Sequence, residues 1–349
     1  MEEKKHKRRA HYSGKYPKKF EEKYKEHSPE KYQDIVDHVI AKGSTPAGMH
    51  ISIMVKEILD FLEIKPGQRG LDCTLGYGGH TRKMLECLEG KGCIYGLDVD
   101  PIESEKTVKR LRDAGFGEDI FQFRLINFAN IDKVSEEAGK FDFVLADLGV
   151  SSMQIDNPER GFSYKIDGPL DLRLDPSHGE SAAERLHNIT KEEFIGMMIE
   201  NSDEPYAKEI GEKVFNLMKK GKAMDTTTEL RQAIEDALWK LPRDEKEMAV
   251  KKSCARVFQA LRIDVNSEFE VLYSFLEKLP GILNPGARVA ILTFHSGEDR
   301  LVKKAFKELY KNGVYSSISE EVIRPSAEEC KINPRSKSTK MRWAVKGEF

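Results

Sequence analysis

The sequence predicts an α/β protein: a mostly parallel sheet of βαβ units with a small helical domain inserted into it. Three observations carry that prediction. Leu71 to His80 has the grammar of a strand, a tight turn and a helix start, since an apolar run ends in Gly76, Gly78 and Gly79 and a helical pattern over 81–88 follows at once. Short apolar runs then alternate with helical patterns as far as Asp147. Beyond Asp147 the alternation gives way to a polar loop and a helical stretch over 181–255, after which sheet grammar resumes.

Taken in order, residues 1–48 form a basic arm, with Lys4, Lys5, Lys7, Arg8 and Arg9 at its start and Tyr12, Tyr16, Phe20, Tyr24 and Tyr32 interleaved further on. Such a segment is partly disordered in isolation, and its aromatics either stack on nucleic acid or pin the arm to the domain. Ile51, Met54, Val55, Ile58, Leu59 and Leu62 recur at helical spacing, and Pro66-Gly67 ends that helix. Strands are expected over 70–74, 93–98, 120–126 and 141–147, with a helix over 102–114. The loop from Leu148 to about Glu180 is dense in Gly, Pro and Asp yet carries Phe162, Leu170, Leu172 and Leu174, the mark of an ordered functional loop. Thr190-x-x-Glu193 and Thr226-x-x-Glu229 are capping boxes that open helices. Helices are expected over 257–261 and 267–279, the second opened by Ser267-x-x-Glu270, and Pro285-Gly286 turns the chain into a fifth buried strand over 288–294. A helix over 298–310 and strands over 314–318 and 341–345 complete the chain. The domains are therefore expected at 1–48 (arm), 49–157 with 256–349 (sheet domain) and 158–255 (loop and helical insert).

Composition narrows the function. At 349 residues, 39% hydrophobic and 33% charged, the chain has the profile of a globular protein, and no apolar run approaches the roughly 20 residues of a membrane span. No apolar leader follows Met1, so a cytoplasmic protein is expected. Five cysteines without a C-x-x-C pair give neither a disulfide framework nor a metal site. The net charge of −2 advertises no polyanion, but Arg335, Lys337 and Lys340 cluster after Asn333-Pro334 in a segment suited to phosphate contact or to a plain turn.

The glycine loop lacks the third glycine of a dinucleotide fingerprint and the Gly-Lys-Ser/Thr of a Walker A loop. What remains is Asp72 before the glycines and Asp98 ending the next strand, where a carboxylate accepts hydrogen bonds from both hydroxyls of a ribose or else caps the following helix. That is the arrangement of S-adenosylmethionine-dependent methyltransferases. Asp147 ends the fourth strand at the switch point, where it polarises an acceptor amine, orients the cofactor or serves only as a strand-end acid. His295, after the fifth strand, is a candidate base or a hydrogen-bonded structural residue.

Seven motifs in order carry a resemblance. They are Asp-x-Thr-Leu-Gly-x-Gly-Gly-His (72–80), Asp-Leu-Gly-Val-Ser-Ser-x-Gln (147–154), Glu-Arg-Gly-Phe-Ser (159–163), Asp-Gly-Pro-Leu-Asp (167–171), Phe-Gln-Ala-Leu-Arg-Ile (258–263), Phe-His-Ser-x-Glu-Asp-Arg (294–300) and Asn-Pro-Arg-Ser (333–336). The chain resembles the bacterial MraW/RsmH family, which methylates N4 of a cytosine in the decoding centre of 16S ribosomal RNA. The resemblance implies a class I, Rossmann-like S-adenosylmethionine-dependent methyltransferase domain, with an insert that helps form the RNA cleft. It implies S-adenosyl-L-methionine as cofactor, contacted by Gly78, Gly79, His80, Asp98, Phe128, Asp147 and Gln154, and the small ribosomal subunit as partner. Phe128 and Gln154 come from the resemblance alone. A homodimer is compatible with the sequence but not read from it. The family's Ser-Leu-Glu-Asp is here Ser296-Gly297-Glu298-Asp299, and its Pro-Ala-Thr-Arg is Ser253-Cys254-Ala255-Arg256, so the chain looks like a divergent branch or second paralogue.

Overall fold

The computed structural model describes residues 52–348; the expectations for the basic arm, and for Ile51 in the first helix, lie outside them. Seven strands form one sheet: β1 (Arg69–Asp72), β2 (Cys93–Asp98), β3 (Phe121–Leu125), β4 (Phe141–Asp147), β5 (Leu283–Thr293), β6 (Tyr315–Ile318) and β7 (Lys340–Lys346), in the order β3-β2-β1-β4-β5-β7-β6. β1 to β5 are parallel, and β7 runs antiparallel to both β5 and β6. The order reverses between β1 and β4, which makes their carboxyl ends the place where a ligand binds such a sheet.

Alternation along the strands sorts side chains to two faces. Leu71, Val144, Ala146, Val289 and Ile291 enter one core, with α4 (Ile131–Ala138), α11 (Glu268–Lys278) and α12 (Ser296–Lys311). Phe143, Leu145, Ala290, Leu292 and Met341 enter the other, with α1 (Val55–Leu62), α2 (Gly79–Cys87) and α3 (Pro101–Asp113). Both faces are covered, which is why β4 reads as a continuous apolar run.

A third core belongs to the insert. It joins Phe162, Leu170 and Leu172 of the long loop to α6 (Ala182–Asn188), α7 (Lys191–Ser202), α8 (Ala207–Lys219), α9 (Thr227–Ala237) and α10 (Arg243–Val265). The long loop also contains the short helix α5 (Ser152–Asp156), and α13 (Ala327–Ile332) precedes β7. The capping boxes at Thr190 and Thr226 form as expected.

Four expectations are corrected. The first helix begins at Val55, because Met54 is left-handed at φ 56°. The helix expected at 257 is the second half of the 23-residue α10, which crosses the expected boundary between 255 and 256. Val257, Phe258 and Leu261 pack with the insert, so the insert's core extends past that boundary. Ser267 caps nothing: it is left-handed at φ 49°, and α11 opens instead beside a two-pronged Arg262–Glu268 pair at 2.7 and 2.9 Å. β5 starts earlier than 288, since Leu283 already pairs with Phe141; the ladder then skips to Arg288 opposite Phe143, and Pro285-Gly286 bulges out between. Among the described residues no helix is long and apolar enough to cross a membrane.

Candidate active site

The glycine loop is held from the side by α3. Gly76 and Gly78 have φ of +49° and +81°, and a Cβ on Gly78 would sit 2.7 Å from Thr107 Cγ2. Thr107 Oγ1 donates to the Gly76 carbonyl at 2.6 Å, and the Arg110 guanidinium lies 3.7 Å from the centre of the Tyr77 ring. Gly79 and His80 then open α2, with its N-terminus at the switch point. Gly78→Ala is expected to destabilise the protein by about 1–3 kcal/mol through strain at a left-handed position, checked by urea unfolding.

Three carboxylates gather at the carboxyl ends of β1, β2 and β4, and each has a different task. Asp72 is fully enclosed, accepting from Thr81 Oγ1 at 2.5 Å and the Thr74 N–H at 3.1 Å. Burial pushes its carboxyl up, and these bonds oppose the shift. It is a structural pin between β1 and α2. Thr74 Oγ1 in turn accepts the Asp147 N–H at 2.7 Å, tying the ends of β1 and β4 together.

Asp98 accepts the N–H of Gly76 at 2.8 Å and of Asp100 at 2.9 Å. Burial raises its pKa to about 6, with those two bonds pulling the other way. The helix-capping alternative falls to a neighbour: Asp100 accepts from the N–H groups of Ile102 and Glu103, with Pro101 at the first helical position. Asp98 is therefore free of capping work, and its carboxylate edges the crevice beside the glycine loop.

Asp147 is the acid with the least help. Its Oδ2 lies 3.6 Å from His80 Nδ1, while its Oδ1 is buried and meets no hydrogen-bond donor among the described residues. Burial raises its pKa to about 6; His80 opposes this, and Asp72 and Glu298 reinforce it as like charges. His80 Nε2 is 2.8 Å from the Ile53 carbonyl, so that nitrogen carries the proton and the ring is fixed edge-on to Asp147. An orphaned acceptor at the switch point is the feature a donor-bearing ligand would satisfy.

Behind Asp98 lies a buried network that the sequence reading did not assign. Asp100 Oδ2 accepts from Gln154 Nε2 at 2.7 Å and Arg160 NH1 at 2.6 Å, and Arg160 NH2 donates to the carbonyls of Arg173 and Leu174 at 3.0 and 2.8 Å. Gln154 Oε1 also accepts the Ser151 N–H, completing a capping box on α5. Both ends of the Gln154 amide are thus occupied by the protein. Asp before Pro101 is a helix-start signature that a closer reading finds; the distance from Arg160 to Asp100 has no local signal.

Phe128 follows β3 in a short 3₁₀ turn and meets Phe275 edge-on at 5.2 Å between ring centres. His295 sits after β5 with its Nε2 3.2 Å from Glu298 Oε1 and its ring against Phe269. Burial pushes the Glu298 carboxyl up, but His295, Arg262 and the Phe294 N–H together hold it below its ordinary value. The expected phosphate-binding cations divide. Arg335 forms a two-pronged pair with Asp156 at 2.6 and 3.1 Å, Lys340 shares Asp299 with Arg342, and Lys337 is exposed. The structure thus brings Gly78, Gly79, His80, Asp98 and Asp147 together around the glycine loop at the carboxyl ends of β1, β2 and β4, and gives Arg335 and Lys340 carboxylate partners.

The chain is similar to known proteins along most of its length. "Ribosomal RNA small subunit methyltransferase H 1" of Agathobacter rectalis is 68% identical over 347 residues, 99% of each chain. "Ribosomal RNA small subunit methyltransferase H 2" of Alkaliphilus metalliredigens is 58% identical, again over 99% of each chain. "Ribosomal RNA small subunit methyltransferase H" of Clostridioides difficile is 36% identical over 85% of this chain and 98% of its own. Among solved structures, a Streptococcus mutans putative methyltransferase in complex with SAH is 12% identical with a TM-score of 0.39, covering 85% of this chain and 99% of that one. The fold assignment rests instead on the sheet order, that of a class I Rossmann-like methyltransferase. A model of the MraW methylase family matches residues 47–347, and the chain belongs to that family.

Proposed function

We propose that the protein transfers a methyl group from S-adenosylmethionine to N4 of a cytosine in the decoding centre of 16S ribosomal RNA. One observation carries the reading most: the buried Asp147 Oδ1, without a donor among the described residues, at the sheet's switch point. Family membership and the names of the relatives support the substrate. The crevice fits the cofactor: Asp98 would accept the ribose hydroxyls, Gly78, Gly79 and His80 would line the methionine end, and Phe128 would pack on the adenine. Gln154, with its amide occupied, would act by fixing Asp100 rather than by direct contact.

Bound S-adenosylmethionine supplies an electrophilic methyl on a sulfonium. The chain's own residues do the rest. An exocyclic cytosine amine is a weak nucleophile because its lone pair is delocalised into the ring. A carboxylate accepting one of its N–H bonds raises electron density on nitrogen and stabilises the positive charge that develops there as the methyl bond forms. Asp147 would accept that bond, and with a pKa of about 6 the group is ionised at neutral pH yet basic enough to accept the departing proton. The rate is expected to fall as pH drops through about 6. His80 Nδ1 lies 3.6 Å from Asp147 Oδ2. His295 is kept as a positioning group for Glu298, and residues 158 to about 265 serve as the substrate-recognition insert.

Recombinant protein incubated with methyl-labelled S-adenosylmethionine and small ribosomal subunits should label 16S rRNA, with mass spectrometry placing the methyl on cytosine N4. Label on a different base or atom would overturn the assignment. Asp98→Ala is expected to weaken cofactor binding by about 1.5–3 kcal/mol, the range for charge-assisted hydrogen bonds, in calorimetry at pH 7.5. In the native protein the same affinity should decline as Asp98 protonates near pH 6.

A further inference from the structure

The insert carries a cavity of about 590 Å³ that shares no residue with the crevice and is not used by the chemistry above. One face of α10 supplies Arg243, Lys246, Glu247, Val250, Lys251 and Cys254; α9 supplies Arg231 and Glu235, and the long loop supplies Tyr164 and Lys165. Five cations and two carboxylates thus meet around one concavity on a chain of net charge −2. None of the five lies within 4.0 Å of a carboxylate oxygen among the described residues, whereas Arg160, Arg173, Arg185, Arg262, Arg335 and Arg342 all do. The floor is apolar: Tyr164 rests edge-on against Phe258 at 5.7 Å, beside Val250 and the buried Cys254. α10 opens at Pro242 with no side-chain cap, and Asp244 and Glu245 in its first turn answer the positive end of the helix, which leaves Arg243 and Lys246 to face the cavity.

We infer that this cavity is a second RNA-contact site, in which Arg231, Arg243, Lys246, Lys251 and Lys165 hold phosphodiesters of a single-stranded segment over the Tyr164 ring. A lysine-rich rim over an aromatic floor matches nucleic-acid grooves, where cations track the backbone and bases stack, whereas lysine is depleted in protein–protein interfaces. The inference rests on the reading that the substrate is RNA, but its site is separate from the crevice.

The test compares the full-length protein with an Arg231→Glu, Arg243→Glu, Lys246→Glu variant and with the charge-conserving Arg231→Lys, Arg243→Lys variant. Anisotropy of a fluorescein-labelled single-stranded RNA is followed from low to high salt. The reversed variant should bind roughly tenfold or more weakly at low salt, with a salt slope shallower by about two to three. The lysine variant should keep affinity and slope, and both should keep cofactor affinity and melting temperature. Equal affinity and slope in native and reversed proteins would overturn the site, as would polyglutamate displacing RNA at equal charge concentration, which would mark an acidic-protein site. The two readings separate cleanly. Native protein that binds RNA through the cavity but transfers no methyl to rRNA defeats the functional reading alone. Native protein that methylates rRNA while the reversed variant binds normally defeats the cavity alone.

Discussion

Asp147→Asn should lose about a thousandfold in kcat, the order seen when one preorganised charge-stabilising group is removed, and yet melt at a higher temperature than the native protein. The two effects have one cause. Burial raises the Asp147 pKa from its ordinary 3.8 to about 6, so folding disfavours the charged form. A carboxyl whose folded pKa lies above its unfolded one contributes stability that is fully present below about pH 4 and is lost as pH rises through about 6. At pH 7.5 the native fold therefore carries the whole cost of an ionised Asp147, at most about 3 kcal/mol. Asparagine removes that cost and keeps the shape. It still buries an amide without a full set of partners, so the net gain is smaller, about 1–2 kcal/mol, or several degrees in melting temperature. Stopped-assay kinetics and calorimetry on the same preparation check both halves. A fall in activity accompanied by a fall in melting temperature would assign Asp147 to the framework instead.

Arg160→Ala should cost about 3–5 kcal/mol in urea unfolding, because it strands a buried carboxylate. Asp100 is 1% exposed and Arg160 5% exposed, so water cannot replace the lost partner. The same substitution frees the carbonyls of Arg173 and Leu174, which anchor the far end of the long loop. Pairing it with Asp100→Asn should recover part of the loss, since the uncompensated charge is then gone. The cofactor KM should rise with the single variant, because Asp100 offers its N–H to Asp98 and would no longer be fixed by the loop. An exposed, weakly held pair would give under 1 kcal/mol and no change in KM. That outcome would remove the link drawn here between the loop and the cofactor site.

Two of the strands beside the site were legible to the residue: β2 and β4 run from Cys93 to Asp98 and from Phe141 to Asp147 as expected, whereas β1 spans Arg69–Asp72 instead of 70–74. Each is a short apolar run closed by an acid, and a strand buried on both faces leaves little doubt about its extent. The three acids and the glycine loop were legible for the same reason, since strand ends at a switch point are fixed by topology. α10 was legible only in pieces, as a helical stretch to 255 and a helix over 257–261. In its second half Cys254, Val257, Phe258, Ala260, Leu261 and Ile263 are buried around most of the circumference, so no single apolar stripe joins the pieces into one 23-residue helix. Asp100–Arg160 was invisible for another reason. Its partners are 60 residues apart, and only the fold shows that the long loop returns to the end of β2. The role of Ser267 was misjudged because a capping box needs an extended cap residue, and the Arg262–Glu268 pair closes the turn in a left-handed conformation instead.

In the proposed function an ionised Asp147 at the switch point activates a cytosine amine of the small-subunit RNA. The most direct measurement is a nucleoside-resolved mass map of 16S rRNA from cells lacking the protein, complemented with either the native chain or Asp147→Asn at matched expression. The account predicts one N4-methylcytosine that is absent without the protein, restored by the native chain and not restored by the variant. A map identical in all strains, or full restoration by Asp147→Asn, would contradict it.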